Sequence, residues 1–402
     1  SGTWLVTNNA NTYTGETIFG PGVINVASVS DYGVASSLGA RTFEQENGTV
    51  TGISLHFRGG TLQYTGTTPQ STNRQIRMLN GEGGTIDASG TTPEATLSFT
   101  HSGPNINLFD TGGARTLTLT GTNTGQNRFS IQLTNQANSF TSIRKSGPGT
   151  WFLTNSDNTF TGEVIIAGGI LNVASVSDYG VPSSIGARTF AQENPTVTGV
   201  SLHFQGGTLQ YTGSTPQSTN RNIRILNDNG ATIDASGSVP EATLSFTHVG
   251  ANVNLFDTPG IRTMTLTGSN IGENGFSILM ADQAGSPTNL SKTGTGTWVL
   301  NGPDTNTATG STTVQSGILI LDKTNATAVS GALSIGSGIE AATVVLRGTG
   351  GNQIANNSMV SLTGSGATAG VLRMNNQTET VAGLTSFDGG IVGNEWGVAG
   401  TG

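Results

Sequence analysis

Residues 2–17 read GTWLVTNNANTYTGET, residues 149–164 read GTWFLTNSDNTFTGEV, and a third version, GTWVLNGPDTNTATGSTTVQSGILIL, fills residues 296–321. Trp4, Trp151 and Trp298 mark the same point in each, 147 residues apart (151 − 4 = 147; 298 − 151 = 147). Between these markers the copies agree without insertion. NVASVSDYG opens at Asn25 and at Asn172, EATLSFTH at Glu94 and at Glu241, and NLFDT at Asn107 and at Asn254. A pocket residue in one copy is reproduced in the next, so the pattern points to extended architecture rather than to one catalytic centre. Repeat units are expected at 1–147 and 148–294, with a shorter divergent third unit at 295–402 continuing the same architecture.

Within each unit, apolar and polar residues alternate in short runs bounded by Gly, Asn, Pro and Thr. GISLHF places Ile53, Leu55 and Phe57 in one phase, TLQYTG places Leu62 and Tyr64, and TLTLTG places Leu117 and Leu119. Period 2 with β-branched residues predicts strands with one buried and one solvated face, and no sustained 3.6-residue pattern predicts a helix. The same alternation in SLHF turns His56 and His203 outward. Leu97, Leu108, Leu119 and Ile131 as strand centres are 11, 11 and 12 residues apart (108 − 97, 119 − 108, 131 − 119). A sandwich gives a similar rhythm, but gapless duplication favours an all-β solenoid in which each coil stacks on the last. Coils of roughly 22 to 33 residues and about 4.8 Å rise then predict on the order of 12 to 18 coils and a rod of roughly 60 to 90 Å.

Composition narrows the function classes. Of 402 residues 34% are apolar and only 10% charged, with 60 glycines, and a net charge of −8 is too mild for a chain kept disordered by its charge. There is no cysteine, so neither disulfides nor thiolate metal sites arise, and neither a metal nor a cofactor is expected. The 16 Lys and Arg are scattered, which argues against nucleic acid as a partner. No apolar run reaches the roughly 20 residues of a membrane helix, so no membrane-spanning segment is expected in this window. The opening SGTWLVTNN already lies inside a repeat and the closing GVAGTG reads as unfinished, which is expected of a window from a longer protein.

The three Gly-Thr-Trp segments resemble the autotransporter-associated β-strand repeat, also called the passenger-associated transport repeat. Thr3 and Trp4, Tyr13 to Gly15, and Gly22 to Val26 carry the match in the first unit; ATVVLRGTGGNQIANNSMVSL and VLRMNNQTETVAGLTS continue it in the third. The resemblance covers about 30 residues of each of the first two units and most of the third. It implies a right-handed parallel β-helix in a very large secreted or surface protein of Gram-negative-type bacteria, outside the outer membrane. The stretches between the motifs depart from the family pattern and are expected either to continue the helix or to form side modules.

Trp4, Trp151 and Trp298 are taken as structural repeat markers that pack at a corner of the coil, with sugar stacking as the competing role. The strongest polar constellation is His101, Asp110 and Arg115, copied as His248, Asp257 and Arg262. A histidine, a carboxylate and a guanidinium within 15 residues (115 − 101 = 14) suit binding of an acidic sugar or proton transfer. They suit equally a pairing of the Asp and Arg across strands with the histidine on a backbone carbonyl. Parallel β-helix lyases gather several carboxylates for calcium, whereas here Asp87 and Asp234 stand singly, and Ala191 replaces Glu44 of the Glu44/Glu46 spot. No catalytic residue is assigned. The expectation is a non-enzymatic extracellular structural protein, a segment of a β-helical fibre or passenger that self-associates end to end or laterally into filaments. The alternatives are a multivalent adhesin for surface glycans and a polysaccharide lyase or hydrolase.

Overall fold

A computed structural model describes residues 2–46, 52–79, 81–103, 113–135, 139–193, 199–226, 229–250, 260–283, 285–350 and 352–394. Among these the regular structure is 33 strands and two short 3₁₀ turns, and the strands pair in parallel. The chain forms two compact units, residues 1–203 with 207–209, and residues 204–206 with 210–402. Each is built as a parallel β-helix.

In the first unit one sheet runs Thr3–Val6, Val23–Val26, Thr61–Tyr64, Gly84–Ala88, Arg115–Thr120, Thr141–Lys145 and Val164–Ile166. A second runs Gln70–Thr72, Leu97–Phe99, Asn127–Phe129, Thr150–Leu153 and Ile170–Val173. A short third sheet holds Thr17–Phe19, Leu55–Phe57 and Ile76–Met78. In the second unit the chain alternates between two sheets from Thr288–Lys292 onward: Thr297–Gly302, Thr312–Val314, Gly317–Lys323, Leu333–Ile335 and Ala342–Leu346 follow one another on alternate faces. One coil therefore spends two strands, and each strand hydrogen-bonds to its counterparts in the neighbouring coils.

Register turns the alternation into continuous rows. Leu62, Ile86 and Leu119 are successive partners, all fully buried, as are Leu333 and Val360 in the second unit. Phe19 stacks on Phe57 at 4.7 Å. Burying such side chains contributes roughly 1.5 to 3 kcal/mol each, so cohesion accumulates coil by coil.

Coil length is more variable than the strand rhythm predicts. Successive partners are 20 residues apart from Thr3 to Val23 (23 − 3), 38 from Val23 to Thr61 (61 − 23) and 33 from Gly84 to Leu117 (117 − 84). The longest coil carries a folded loop held by two buried arginines. Arg74 donates to the carbonyls of Leu38 (2.7 Å) and Gly39 (2.8 Å), and Arg41 to those of Thr14 (2.8 Å) and Gln45 (2.8 Å). The strand pattern is untouched because the extra residues leave and return at corners.

His56 and His203 correct the alternation. They are 1% and 8% exposed, since the strands Leu55–Phe57 and Leu202–Phe204 are buried on both faces. Glu16 lies 3.5 Å from His56 and Glu163 lies 3.8 Å from His203, and Arg58 donates to the other ring nitrogen of His56 at 3.4 Å. Carboxylates from the preceding coil thus cover what the pattern marks as a solvated flank.

The tryptophans separate by environment. Trp151 and Trp298 are fully buried and donate their indole N–H to Thr120 O (2.8 Å) and Thr267 O (2.9 Å) of the coil before, whereas Trp4 is 76% exposed. Trp151→Ala or Trp298→Ala is therefore expected to lower unfolding free energy by about 3 to 5 kcal/mol, and Trp4→Ala by less than about 1 kcal/mol. Urea unfolding of the three variants checks this; equal losses at all three positions would refute it.

Candidate functional site

The corners of the coils turn main-chain carbonyls inward, and the side chains that meet them are the most specific feature of the interior. Lys145 ends the strand Thr141–Lys145 in phase with Thr141 and Ile143, so the pleat sends it into the core between Leu119 and Ile166. Its ammonium donates to Ser146 O (2.8 Å), Gly147 O (2.9 Å) and Gly168 O (2.9 Å). Lys292 repeats this with Thr293 O (2.8 Å), Gly294 O (2.8 Å) and Ser316 O (2.9 Å). Three donors meet three acceptors, two on the residue's own turn and one on the next coil, so each lysine staples two coils.

Two glycines make room for the staple. A Cβ at Gly169 or Gly317 would stand 2.7 Å from the ammonium of Lys145 or Lys292, and both backbones sit at positive φ (59° and 69°). Lys323 reaches back instead, to Asn301 O (3.1 Å) and Asp304 O (2.7 Å). Burial pushes all three amines down to about 8.

Buried asparagines treat the neighbouring corner in the same way. Asn127 donates to Thr150 O (2.9 Å) while its side-chain oxygen accepts from Leu97 N (2.9 Å); Asn274 does so with Thr297 O (2.8 Å) and Leu244 N (2.8 Å). Each amide therefore ties three successive coils. Near Arg41 sits a buried Glu46, which accepts from Ser54 N (2.5 Å) and from the Tyr32 hydroxyl. Burial, then the Glu46 charge, raises the Tyr32 phenol far above its ordinary range. Glu44, its sequence neighbour, is exposed, so the acidic spot of the sequence is divided between surface and core.

The sequence-picked constellation is placed as follows. His101 is half-buried with its Nε2 3.3 Å from the Gln75 amide, whereas His248 turns Nδ1 to Asn220 O at 3.1 Å. Arg115 is buried and donates to Met78 O (3.1 Å), and Arg262 donates to Ile225 O (3.1 Å) and Gly260 O (2.9 Å). These guanidiniums meet the carbonyls at the C-terminal residues of the strands Ile76–Met78 and Ile223–Ile225. Asp110 and Asp257 lie outside the described residues. The two histidines thus have different partners in the two copies, while the arginines keep one role. Among the described residues no group of three or more His, Asp and Glu is placed to hold a metal ion.

Sequence alone hides these lysines, because a charged residue ordinarily marks a solvated position. Their signal is nevertheless present: Lys145 and Lys292 stand in the inward phase, 147 residues apart (292 − 145 = 147), directly before SGPGTW and TGTGTW.

The outer face carries a different pattern. In the second unit Thr232, Thr265, Ser291, Thr313, Ser334, Ser361 and Thr385 occupy one outward register position through seven successive strands. All are half-buried or exposed. Strand spacing of about 4.8 Å makes this a regular hydroxyl row.

Comparison with known proteins gives two matches. The passenger-associated-transport-repeat family model matches residues 1–24, 143–173 and 290–321. The chain is 33% identical over 320 residues to a protein of Brucella suis biovar 1 (strain 1330), Adhesin BmaC autotransporter, an alignment that takes in 79% of this chain and 9% of that relative. No solved structure matches the chain.

The lysines set an alkaline stability profile. Each is about 8 when folded and about 10.4 when unfolded, so between these values the unfolded chain binds more protons and stability rises with pH. Tyr32 acts oppositely above about 10, where only the unfolded phenol ionises. The urea midpoint at pH 9.5 is expected to equal or exceed that at pH 7.5, with a smaller rise in Lys145→Met. A midpoint that falls steadily over this interval would show the amines to be unperturbed.

Proposed function

We propose that this chain, which carries three passenger-associated-transport repeats, is a stretch of the surface-exposed passenger of a bacterial autotransporter-like protein, located outside the outer membrane. Its work is structural and non-enzymatic: stacked coils give reach and cohesion, and coils of neighbouring molecules associate into fibres. The observation that carries this is the coincidence of family and staple. The matched segments 143–173 and 290–321 hold Lys145, Trp151, Lys292 and Trp298, the side chains that tie each coil to the one before or after it. What the repeat supplies at each return is therefore cohesion between coils.

A second role, binding of surface glycans as a multivalent adhesin, is favoured by the hydroxyl row of the second unit and by the relative named as an adhesin. A row of equivalent sites sums weak contacts into avidity. The chain spans about 9% of that relative's length, so the adhesive part of that protein is not thereby located in this segment.

The test is surface display in a Gram-negative-type host. Antibody to the chain is expected to label intact cells, and added protease to remove the label. Labelling only after the outer membrane is opened would refute the placement. Release of sugar ends from acidic polysaccharides, lost in Asp110→Asn and Asp257→Asn, would refute the non-enzymatic role. Beads coated with the chain that bind no glycan on an array would remove the adhesin reading alone.

A further inference from the structure

We infer that the loops 27–46 and 174–193 are twin binding sites for neutral sugar rings, with Phe43 and Phe190 as stacking platforms, and that they open on different flanks of the first unit. This deepens the adhesin reading, on which it rests, by naming the class of sugar and the side chains that hold it.

Trp4 and Tyr13 are exposed, but their counterparts Trp151 and Phe160 are fully buried. Among the described residues, Phe43 (36% exposed) and Phe190 (56%) are the one aromatic pair exposed in both copies of the repeat. Each ring is fixed in place. Tyr32 meets Phe43 edge-on at 5.5 Å and 70°, and Tyr179 meets Phe190 at 5.4 Å and 72°. The Tyr32 hydroxyl in turn donates to the buried Glu46 and accepts from Gln75 N (2.8 Å). Gly33 N bonds to Arg41 O and Gly180 N to Arg188 O, both at 2.9 Å, which closes the two loops alike. Arg188 holds the carbonyls of Thr161 (2.9 Å) and Gln192 (2.6 Å) as Arg41 holds those of Thr14 and Gln45. A platform set before the ligand arrives loses little entropy on binding.

The two copies also differ least where the loop is exposed. In residues 113–135 every exposed position changes: Ala114, Thr122, Thr124, Gln126 and Arg128 become Ile261, Ser269, Ile271, Glu273 and Gly275. In the loop Ala27, Asp31, Gly33, Val34, Phe43 and Gln45 are exposed and recur unchanged, and only the exposed Glu44 differs, as Ala191. Exposed loop residues held constant beside a surface that drifts mark a contact with something outside the fold.

The chemistry around the ring selects that partner. A pyranose has an apolar C–H face and a rim of hydroxyls, and here one fixed ring stands beside the exposed carboxylate of Asp31 and the amide of Gln45, which is anchored by Thr42 N at 2.8 Å. Arg41 is the one basic residue in 27–46 and it is buried, so the exposed charges, Asp31 and Glu44, repel anionic sugars and leave neutral ones. The first loop follows Val23–Val26, in the sheet with Thr3–Val6 and Thr61–Tyr64; the second follows Ile170–Val173, in the sheet with Asn127–Phe129 and Thr150–Leu153. The repeat thus returns the loop on a different sheet, and a flat sugar-bearing surface meets one loop at a time.

The test is equilibrium dialysis of the purified 402-residue chain against labelled cellobiose, chitobiose and lactose, with sialylated lactose as the anionic comparison. The variants are Phe43→Ala, Phe190→Ala and the two combined; both rings are exposed, so an unchanged urea midpoint checks that folding is intact. Wild type is expected to bind at least one neutral disaccharide at two sites per chain and each single variant at one. The double variant is expected to bind at least about tenfold more weakly, a difference of about 1.4 kcal/mol. Chains captured on a planar layer of the same disaccharide are expected to keep one loop open to the soluble sugar; captured chains with no remaining capacity overturn the placement on different flanks. Tighter binding of sialylated lactose overturns the neutral class. A double variant that binds like wild type overturns the loop sites and leaves the adhesin reading to the hydroxyl row. Wild type that binds none of the neutral disaccharides overturns this inference alone, whereas a silent glycan array overturns the adhesin reading with it.

Discussion

Every corner of a β-helix turns carbonyl groups away from the sheet ladders, and those that face inward must find donors in a space that excludes water. This constraint explains the polar residues of the interior better than any ligand does. An unmet buried polar group costs on the order of 1 to 3 kcal/mol, and the corner recurs in each coil, so the deficit would multiply along the chain. Lysine answers it with three donors on one atom, asparagine with a donor and an acceptor, and arginine with a fork that reaches several carbonyls of a folded loop. In each case at least one bond crosses to another coil. The groups that satisfy the corner therefore also fix the order and register of the stack.

A second consequence concerns charge. Six arginines and all three lysines are buried, nine of the 16 basic residues, whereas Glu46 is the one buried acid among the described residues. The formal charge of −8 thus understates how acidic the solvent-facing side chains are. The outer face meets its surroundings mainly through carboxylates and the hydroxyl row, while most of the positive charge is held inside by neutral carbonyl oxygens.

Strand identity and the stacked architecture were legible because both rest on periodicity. Leu55, Leu62 and Leu119 were placed in the core by alternation alone, and the Gly-Thr-Trp segments announced the coil. The misplacement of His56 has a physical reason: alternation tells which face a side chain takes, but Glu16, from the preceding coil, decides with the neighbouring Arg58 whether that face is wet. Coil length escaped in the same way, since a loop held by Arg41 and Arg74 adds residues at a corner without changing the strands. Of the candidate constellation, the arginines were found as residues but their carbonyl partners were not, because Met78 O and Ile225 O carry no mark in the sequence. The lysines were hidden by the general rule that charge lies outside.

That all three lysine amines are internal has a practical corollary. A folded copy withholds them from acylating reagents, from glycation and from cleavage by enzymes that cut after lysine, so reactivity at Lys145, Lys292 or Lys323 reports opening of its own coil. The three residues sit in different coils, which makes them a set of built-in position markers for where along the stack unfolding, or passage through a pore in an unfolded state, has begun.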